Sequence, residues 1–229
     1  MKKKIVVISL GGSLIIPDKI NTNYLKRFKE VILKATLKYK FIIVAGGGNI
    51  AREYIYSLKS LNMDINFQSF AGISATRMNA RFVSYLFGFD QNYGIPRTLQ
   101  TVDKYLKHRD IVFCGALDYK PNQTSDSTSA EIATHFNTEF INLTNVDGLF
   151  DKDPSKYKKA KLIKNISWED FLRKVNLMTF SPGQHFVLDQ TAAKIIQKNK
   201  IKTYIIGKDL VQLSNLLKDK PFRGTTIFG

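Results

Sequence analysis

The chain has 229 residues, 44% of them hydrophobic, which suffices for one large α/β domain or two small lobes and excludes a disordered chain. Lysine plus arginine number 35 against 19 acidic residues, a formal net charge of +16, but the lysines are scattered. Their one modest cluster is Lys152, Lys156, Lys158, Lys159 and Lys161, and no basic stripe interleaved with aromatics exists, so the charge reads as a solvated surface rather than a nucleic-acid or membrane footprint. 

A single cysteine, Cys114, excludes an intrachain disulfide and suits a reducing, cytoplasmic setting. No apolar run approaches the length of a membrane span, and the basic start Met1–Lys4 runs into an apolar stretch that breaks at Gly11-Gly12, unlike a secretion signal. Ile5–Leu10 is a continuous apolar run, the pattern of a strand covered on both faces, and it ends at Gly11-Gly12-Ser13. A helix follows from about Asn23 to Lys38, capped by Asn21 or Thr22, with Leu25, Phe28, Ile32 and Ala35 on one face. A second buried strand, Phe41–Ala45, ends in Gly46-Gly47-Gly48. Helices are expected through Arg52, Tyr54 and Leu58, and from Ser74 through Met78 to Phe87, before a short strand at Ile111–Cys114. Thr128-Ser129-Ala130-Glu131 has capping-box spacing and opens a helix towards Phe136. Phe140–Leu143 is a strand followed by the turn Asn145-Val146-Asp147-Gly148, and the polar span Asp151–Lys164 reads as an exposed loop or hairpin. Helices start at Ser167–Asp170, at Asp189 (to Lys198) and at Leu210 (to Leu217), with strands at Thr203–Ile206 and Thr225–Phe228. Helices alternating with apolar strands predict an α/β fold: a three-layer αβα sandwich around a mostly parallel sheet.

Two glycine clusters after the first two strands are the strongest chemical signal. Such sheets bind ligands at the carboxyl ends of their strands, where glycine lets main-chain amides approach phosphate oxygens. Two clusters suggest a polyphosphate held between two loops. Gly46-x-Gly48-x-x-Ala51 also fits a loose dinucleotide fingerprint, but it follows the second strand and lacks a suitably spaced acidic residue; Asp64, the nearest, sits after a helix. There is no P-loop motif, no paired cysteine and no zinc motif, and His108, His135 and His185 are isolated. Arg52 falls one turn into the helix after the triple glycine and could fork onto a phosphate or be a surface arginine. Thr124-Ser125-Asp126 could be an ordinary helix cap or could hold a carboxylate that orients a catalytic group.

Several segments in order resemble the amino acid kinase family, and within it the uridylate (UMP) kinases of the archaeal type. They are L-G-G-S-L at 10–14, A-G-G-G-N-I-A-R at 45–52, G-I-S-A-T-R-M-N-A at 72–80, T-S-D at 124–126, T-N-V-D-G-L-F-D-K-D-P at 144–154, D-Q-T-A-A-K-I-I at 189–196 and R-G-T-T-I at 223–227. The resemblance implies a single domain of the amino acid kinase fold, with an acceptor lobe at about 1–140 and an ATP lobe at about 141–229. It implies transfer of the ATP γ-phosphate to UMP, giving UDP for pyrimidine nucleotide synthesis, with Mg²⁺ carried by the nucleotide, and a homohexamer of paired dimers. By the same resemblance Gly11, Gly12 and Gly48 hold ATP, Gly47 contacts UMP, and Arg52 clamps phosphate between them. Ser69, Thr76, Gln123, Thr124 and Ser125 line the UMP side, Asp126 organises the catalytic centre, and Thr144, Asn145, Phe150 and Asp153 line the adenosine site. Four places depart from the pattern: Ser9 stands where many members carry lysine, Ser69 where an aspartate would touch the UMP ribose, Phe150 where a tyrosine is usual, and the loop Ala116–Gln123 is unusual in content. Without lysine at Ser9, the charge is expected from Mg²⁺, Arg52 and the glycine loops, with Lys194 a reserve candidate or merely a surface lysine. The rivals are a family kinase with a carboxylate acceptor, such as N-acetylglutamate or carbamate, and a non-catalytic nucleotide-binding or storage relative.

Overall fold

The computed structural model describes residues 3–119, 124–177 and 187–229. Strand β1 (Lys4–Leu10) runs through the one-turn helix α1 (Gly12–Ile15) into α2 (Thr22–Ala35). The Asn21 side chain caps α2 by accepting the Tyr24 N–H at 3.2 Å. Strand β2 (Tyr39–Ala45) leads to α3 (Gly48–Ser60) and the long α4 (Ile65–Leu86). A 3₁₀ turn (Gln91–Tyr93) and α5 (Leu99–His108) precede β3 (Ile111–Cys114). Then come α6 (Ser125–His135), β4 (Glu139–Leu143), β5 (Asn165–Ile166), α7 (Trp168–Leu177), α8 (Gln190–Asn199), β6 (Thr203–Ile206), α9 (Leu210–Leu216) and β7 (Thr225–Ile227).

The strands form one sheet in the order β3-β2-β1-β4-β6-β7-β5. All neighbours are parallel except β6 and β7. Successive side chains of a strand point to opposite faces, and here both faces are covered. Val6, Ile8 and Leu10 pack with Phe28 of α2, Val83 of α4 and Leu213 of α9. Val7 packs on the other side with Val102 of α5, Ile132 of α6, Phe171 of α7 and Ile196 of α8. That is the expected three-layer sandwich. The largest fully buried side chains include Phe28, Phe41, Phe113, Phe140 and Phe171, each stabilising the fold by about 2 kcal/mol or more. No described helix is long and apolar enough to cross a membrane.

Three expectations change. Helix α4 starts at Ile65, well before Ser74; its first turns leave Ile65, Phe67 and Phe70 exposed, so no apolar stripe marks them. The capping box is Thr124–Ser127, one turn before Thr128–Glu131, which lies inside α6. Helix α5 was not foreseen because only Val102 and Leu106 of its ten residues are buried.

Strand order reverses between β1 and β4. The helices after β1 cover one face, while α6, leading into β4, covers the other. The carboxyl ends of β1, β2 and β4 therefore open onto a crevice at a topological switch point.

Candidate active site

The two glycine loops are fastened by the strands beside them. Gly11 N–H donates to the Leu143 carbonyl of β4 at 3.0 Å, and Gly46 N–H donates to the Leu10 carbonyl of β1 at 2.9 Å. The loops also press against each other. A Cβ on Gly12 would stand 2.0 Å from the Gly48 nitrogen, and one on Gly46 would stand 2.4 Å from the Gly12 nitrogen. Gly48 has φ +65°, which glycine alone adopts without cost. Asn79 of α4, 3% exposed, donates to the carbonyls of Gly46 and Gly47 at 2.7 and 3.0 Å. Gly12 heads α1 while Gly47 and Gly48 cap and head α3, positions whose amides have no partner within their own helices. Amides of this kind are groups that can donate to an anion.

The T-R-x-N segment fastens a third loop. Thr76 Oγ1 accepts the Ala116 N–H at 2.9 Å and donates to the Ile73 carbonyl at 2.7 Å. Arg77 Nε donates to the Ala116 carbonyl at 3.0 Å, and its Nη2 donates to that of Leu117. Burial and the neighbouring Arg97 lower the Arg77 pKa. Thr76 thus stands beside the second glycine loop, where a Cβ on Gly47 would come 3.6 Å from its methyl, with its hydroxyl already engaged. Arg52 lies exposed one turn into α3, its Nη2 donating to Asn49 Oδ1 at 3.3 Å.

Under the first glycine loop sits a carboxylate. Ser9 Oγ, fully buried on β1, donates to Asp126 Oδ1 at 2.8 Å. Asp126, partly buried in the first turn of α6, has its pKa pushed up to about 7, chiefly by desolvation and then by Asp189; the Ser9 hydroxyl opposes the rise. Thr124, the N-cap of α6, donates to Asp189 Oδ2, and Asp189 caps α8 by accepting the Ala192 N–H at 2.9 Å. Ser125 is the first residue of α6.

Beyond β4, Thr144 and Asn145 follow the strand directly, and the Thr144 N–H donates to the Ile206 carbonyl at 3.0 Å. The Asp147 turn is held by Arg223 Nε at 2.9 Å. Phe150 bridges to Leu162, and Asp153 Oδ1 accepts from the Ser155 N–H and hydroxyl at 2.9 and 2.7 Å, so the span 151–164 is a loop folded back on itself. The structure does not bring Lys194 to the glycine loops. It is exposed on α8 and lines a surface groove of about 450 Å³ with Leu99, Glu131 and His135. Ser69 donates its hydroxyl to the Ile65 carbonyl of its own helix at 2.9 Å. Gln123 lies outside the described residues.

Sequence reasoning missed the roles of Asn79 and Asp189 and read Ser9 only as a lysine not present. A signal existed for the last: Ser9, like Asn142, is a polar residue inside a buried apolar strand and so demands a partner.

A parallel sheet whose first two strands end in facing amide-rich loops defines an α/β protein with its crevice at a topological switch point, where sheets of this kind take their ligands. The chain belongs to the amino acid kinase family, whose family pattern matches residues 4–207. The uridylate kinase of Thermoplasma volcanium is 36% identical over 225 residues, spanning 97% of this chain and 96% of that protein. The uridylate kinase of Pyrococcus abyssi is 31% identical over 224 residues, spanning 97% and 98%. The crystal structure of uridylate kinase from Archaeoglobus fulgidus superposes with a TM-score of 0.85 at 31% identity, covering 97% of this chain and 99% of that one. The UMP kinase structure from Bacillus anthracis, at 21% identity and a TM-score of 0.81, shares the fold.

Proposed function

We propose that this protein is a UMP kinase that moves the γ-phosphate of ATP onto UMP, giving ADP and UDP. The observation that carries this is the pair of glycine loops, packed amide to amide at the ends of β1 and β2, in a chain with uridylate kinases among its relatives. A UMP phosphate oxygen, already ionised near neutral pH, attacks the γ-phosphorus. The bond to the ADP oxygen breaks, and no strong base is needed. What the site must supply is position and relief of repulsion between two anions.

On this reading Gly11, Gly12 and Gly48 hold the ATP phosphates, Gly47 faces UMP, and Arg52 swings from Asn49 to the phosphates between them. Thr76, Thr124 and Ser125 lie on the UMP side; Thr144, Asn145, Phe150 and Asp153 lie on the adenosine side. Among the described residues no three His, Cys, Asp or Glu side chains gather into a metal site. An Mg²⁺ brought in by the nucleotide would offset the negative charge of its phosphate oxygens. Arg52 and the loop amides remain for the oxygens it leaves free.

The α3–α4 pair exposes Tyr54, Leu61, Ile65, Phe67, Phe70 and Met78. Such apolar surface on one helix pair supports self-association, and we place the chain in a homohexamer, working in the cytoplasm to supply pyrimidine nucleotides. Light scattering after gel filtration reads the assembly directly. The activity is tested by a coupled ADP-release assay with ATP and Mg²⁺ against UMP, CMP, dUMP, a carboxylate acceptor and buffer. Rapid turnover with UMP is expected; none with UMP, or faster turnover with the carboxylate, would overturn the reading.

A further inference from the structure

Two polar residues interrupt the buried central strands, and they are neighbours. Ser9 on β1 and Asn142 on β4 are register partners, 0% and 2% exposed. Their side chains alternate with those facing α2 and α9, so both point to the side covered by α6 and α8. A buried polar group is costly unless hydrogen-bonded, so each partner is informative. Ser9 Oγ donates to Asp126 in the first turn of α6 at 2.8 Å. Asn142 Nδ2 donates to the carbonyl of Val187, which directly precedes Leu188 and the α8 cap Asp189. The two helix starts are tied above the strands by the hydrogen bond from Thr124 to Asp189. Ser9 and the linked caps Thr124 and Asp189 thus set polar groups about Asp126, while Asn142 fixes the segment that leads into the Asp189 cap.

Resting on the UMP kinase reading, we propose that Ser9 is a positioning residue: its hydroxyl holds the Asp126 carboxylate, in the ionised form, at the crevice where β1 opens into its glycine loop. The groups acting on Asp126 come from two elements: Ser9 from β1 and the carboxylate of Asp189 from α8, whose partner Thr124 is uncharged. Burial and Asp189 favour the proton; the Ser9 hydroxyl favours its loss. The carboxyl is poised near neutrality, so one hydrogen bond decides its charge in the working pH range. An ionised Asp126 gives the crevice a fixed acceptor against which entering cationic donors are ordered; a protonated one does not.

The test compares Ser9→Ala with Ser9→Thr in the full chain. Loss of a hydrogen bond to a charged group should raise the Asp126 titration midpoint by about one unit in Ser9→Ala, and Ser9→Thr should restore it. The midpoint is read by ¹³C NMR of the labelled carboxyl, assigned by its disappearance in Asp126→Asn. In the UMP kinase assay at saturating substrates, the acid limb of kcat should move up by the same unit, costing about tenfold on the acid side and little on the alkaline side, with KM nearly unchanged. A merely structural serine would lower kcat equally at every pH and leave both midpoints in place, which would overturn the proposal. Should Ser9→Ala not fold, Ser9→Cys, a weaker donor, must show a smaller shift of the same sign; no shift again overturns it. A shifted NMR midpoint without UDP formation at any pH would sink the kinase reading alone. UDP formation with an unshifted midpoint would sink this inference alone.

Discussion

The two ends of the sheet handle charge in opposite ways. At the carboxyl end, the groups able to donate to an anion are the helix-start amides of Gly12, Gly47 and Gly48, with Arg52 one turn further along α3. At the amino end, Lys3, Lys4, Lys200 and Lys202 ring a depression of about 410 Å³. Those lysines have carboxylate partners: Lys3 with Asp110 at 2.6 Å, Lys4 with Glu139 at 2.7 Å, Lys202 with Glu139 at 3.9 Å, and Lys200 with Glu169. Exposed pairs of this kind contribute about 0–1 kcal/mol each and are screened by salt. The lesson is that a net charge of +16 locates solvent-facing lysines, whereas the anion site is made of geometry. Glycines that let two loops touch matter more there than any lysine.

That contrast is easiest to break at Gly12. Gly12→Ala would place a Cβ 2.0 Å from the Gly48 nitrogen and force the loops apart, so kcat/KM for UMP phosphorylation should fall by roughly 10³-fold, the loss of more than one transition-state donor. A near wild-type rate would mean the loops do not hold the phosphates. Arg52→Ala should cost roughly 10²-fold in kcat/KM, the scale of a single donor, and steady-state kinetics with Arg52→Lys should show only partial recovery because a lysine cannot fork onto two oxygens.

Asp126→Asn separates stability from activity. The folded carboxyl, with its pKa near 7, keeps a proton that the unfolded chain releases near pH 4, so this group's contribution to stability is full below about pH 4 and is lost as pH rises to about 7. Denaturant titrations should therefore find Asp126→Asn more stable than wild type at pH 8 by about 2 kcal/mol, a value reduced for the solvent that reaches the carboxyl's open side, and equal to it at pH 4. Activity should drop in the same variant. The smallest effect belongs to the opposite end of the sheet: Lys4→Met should change stability by less than about 1 kcal/mol and leave the KM values for both nucleotides in place.

Much of this frame was legible from residues. The strand cores were visible as unbroken apolar runs because a parallel sheet is buried on both faces, and the glycine loops were visible because no other residue permits contact between them. Helix α4 was half legible. Its second half shows Ala80 and Val83 to the core, while its first turns present Ile65, Phe67 and Phe70 to the outside and break the periodicity. The cap of α6 was displaced by a turn because two Ser/Thr-rich starts, at Thr124 and Thr128, lie four residues apart and compete on spacing alone. Asp189 was legible as a helix start, but its link to α6 was not. Its partner Thr124 is 65 residues distant, and only the fold brings the two helix caps together. The same holds for Asn79, whose hold on Gly46 and Gly47 depends on where α4 crosses the end of β2.

The central claim is that two main-chain loops, not the lysine-rich end, grip the nucleotides. A crystal structure with UMP and a non-hydrolysable ATP analogue tests it most directly. Phosphate oxygens within hydrogen-bond distance of the amides of Gly12, Gly47 and Gly48 are expected. Phosphates seated instead among Lys3, Lys4, Lys200 and Lys202, with those amides bare, would contradict it.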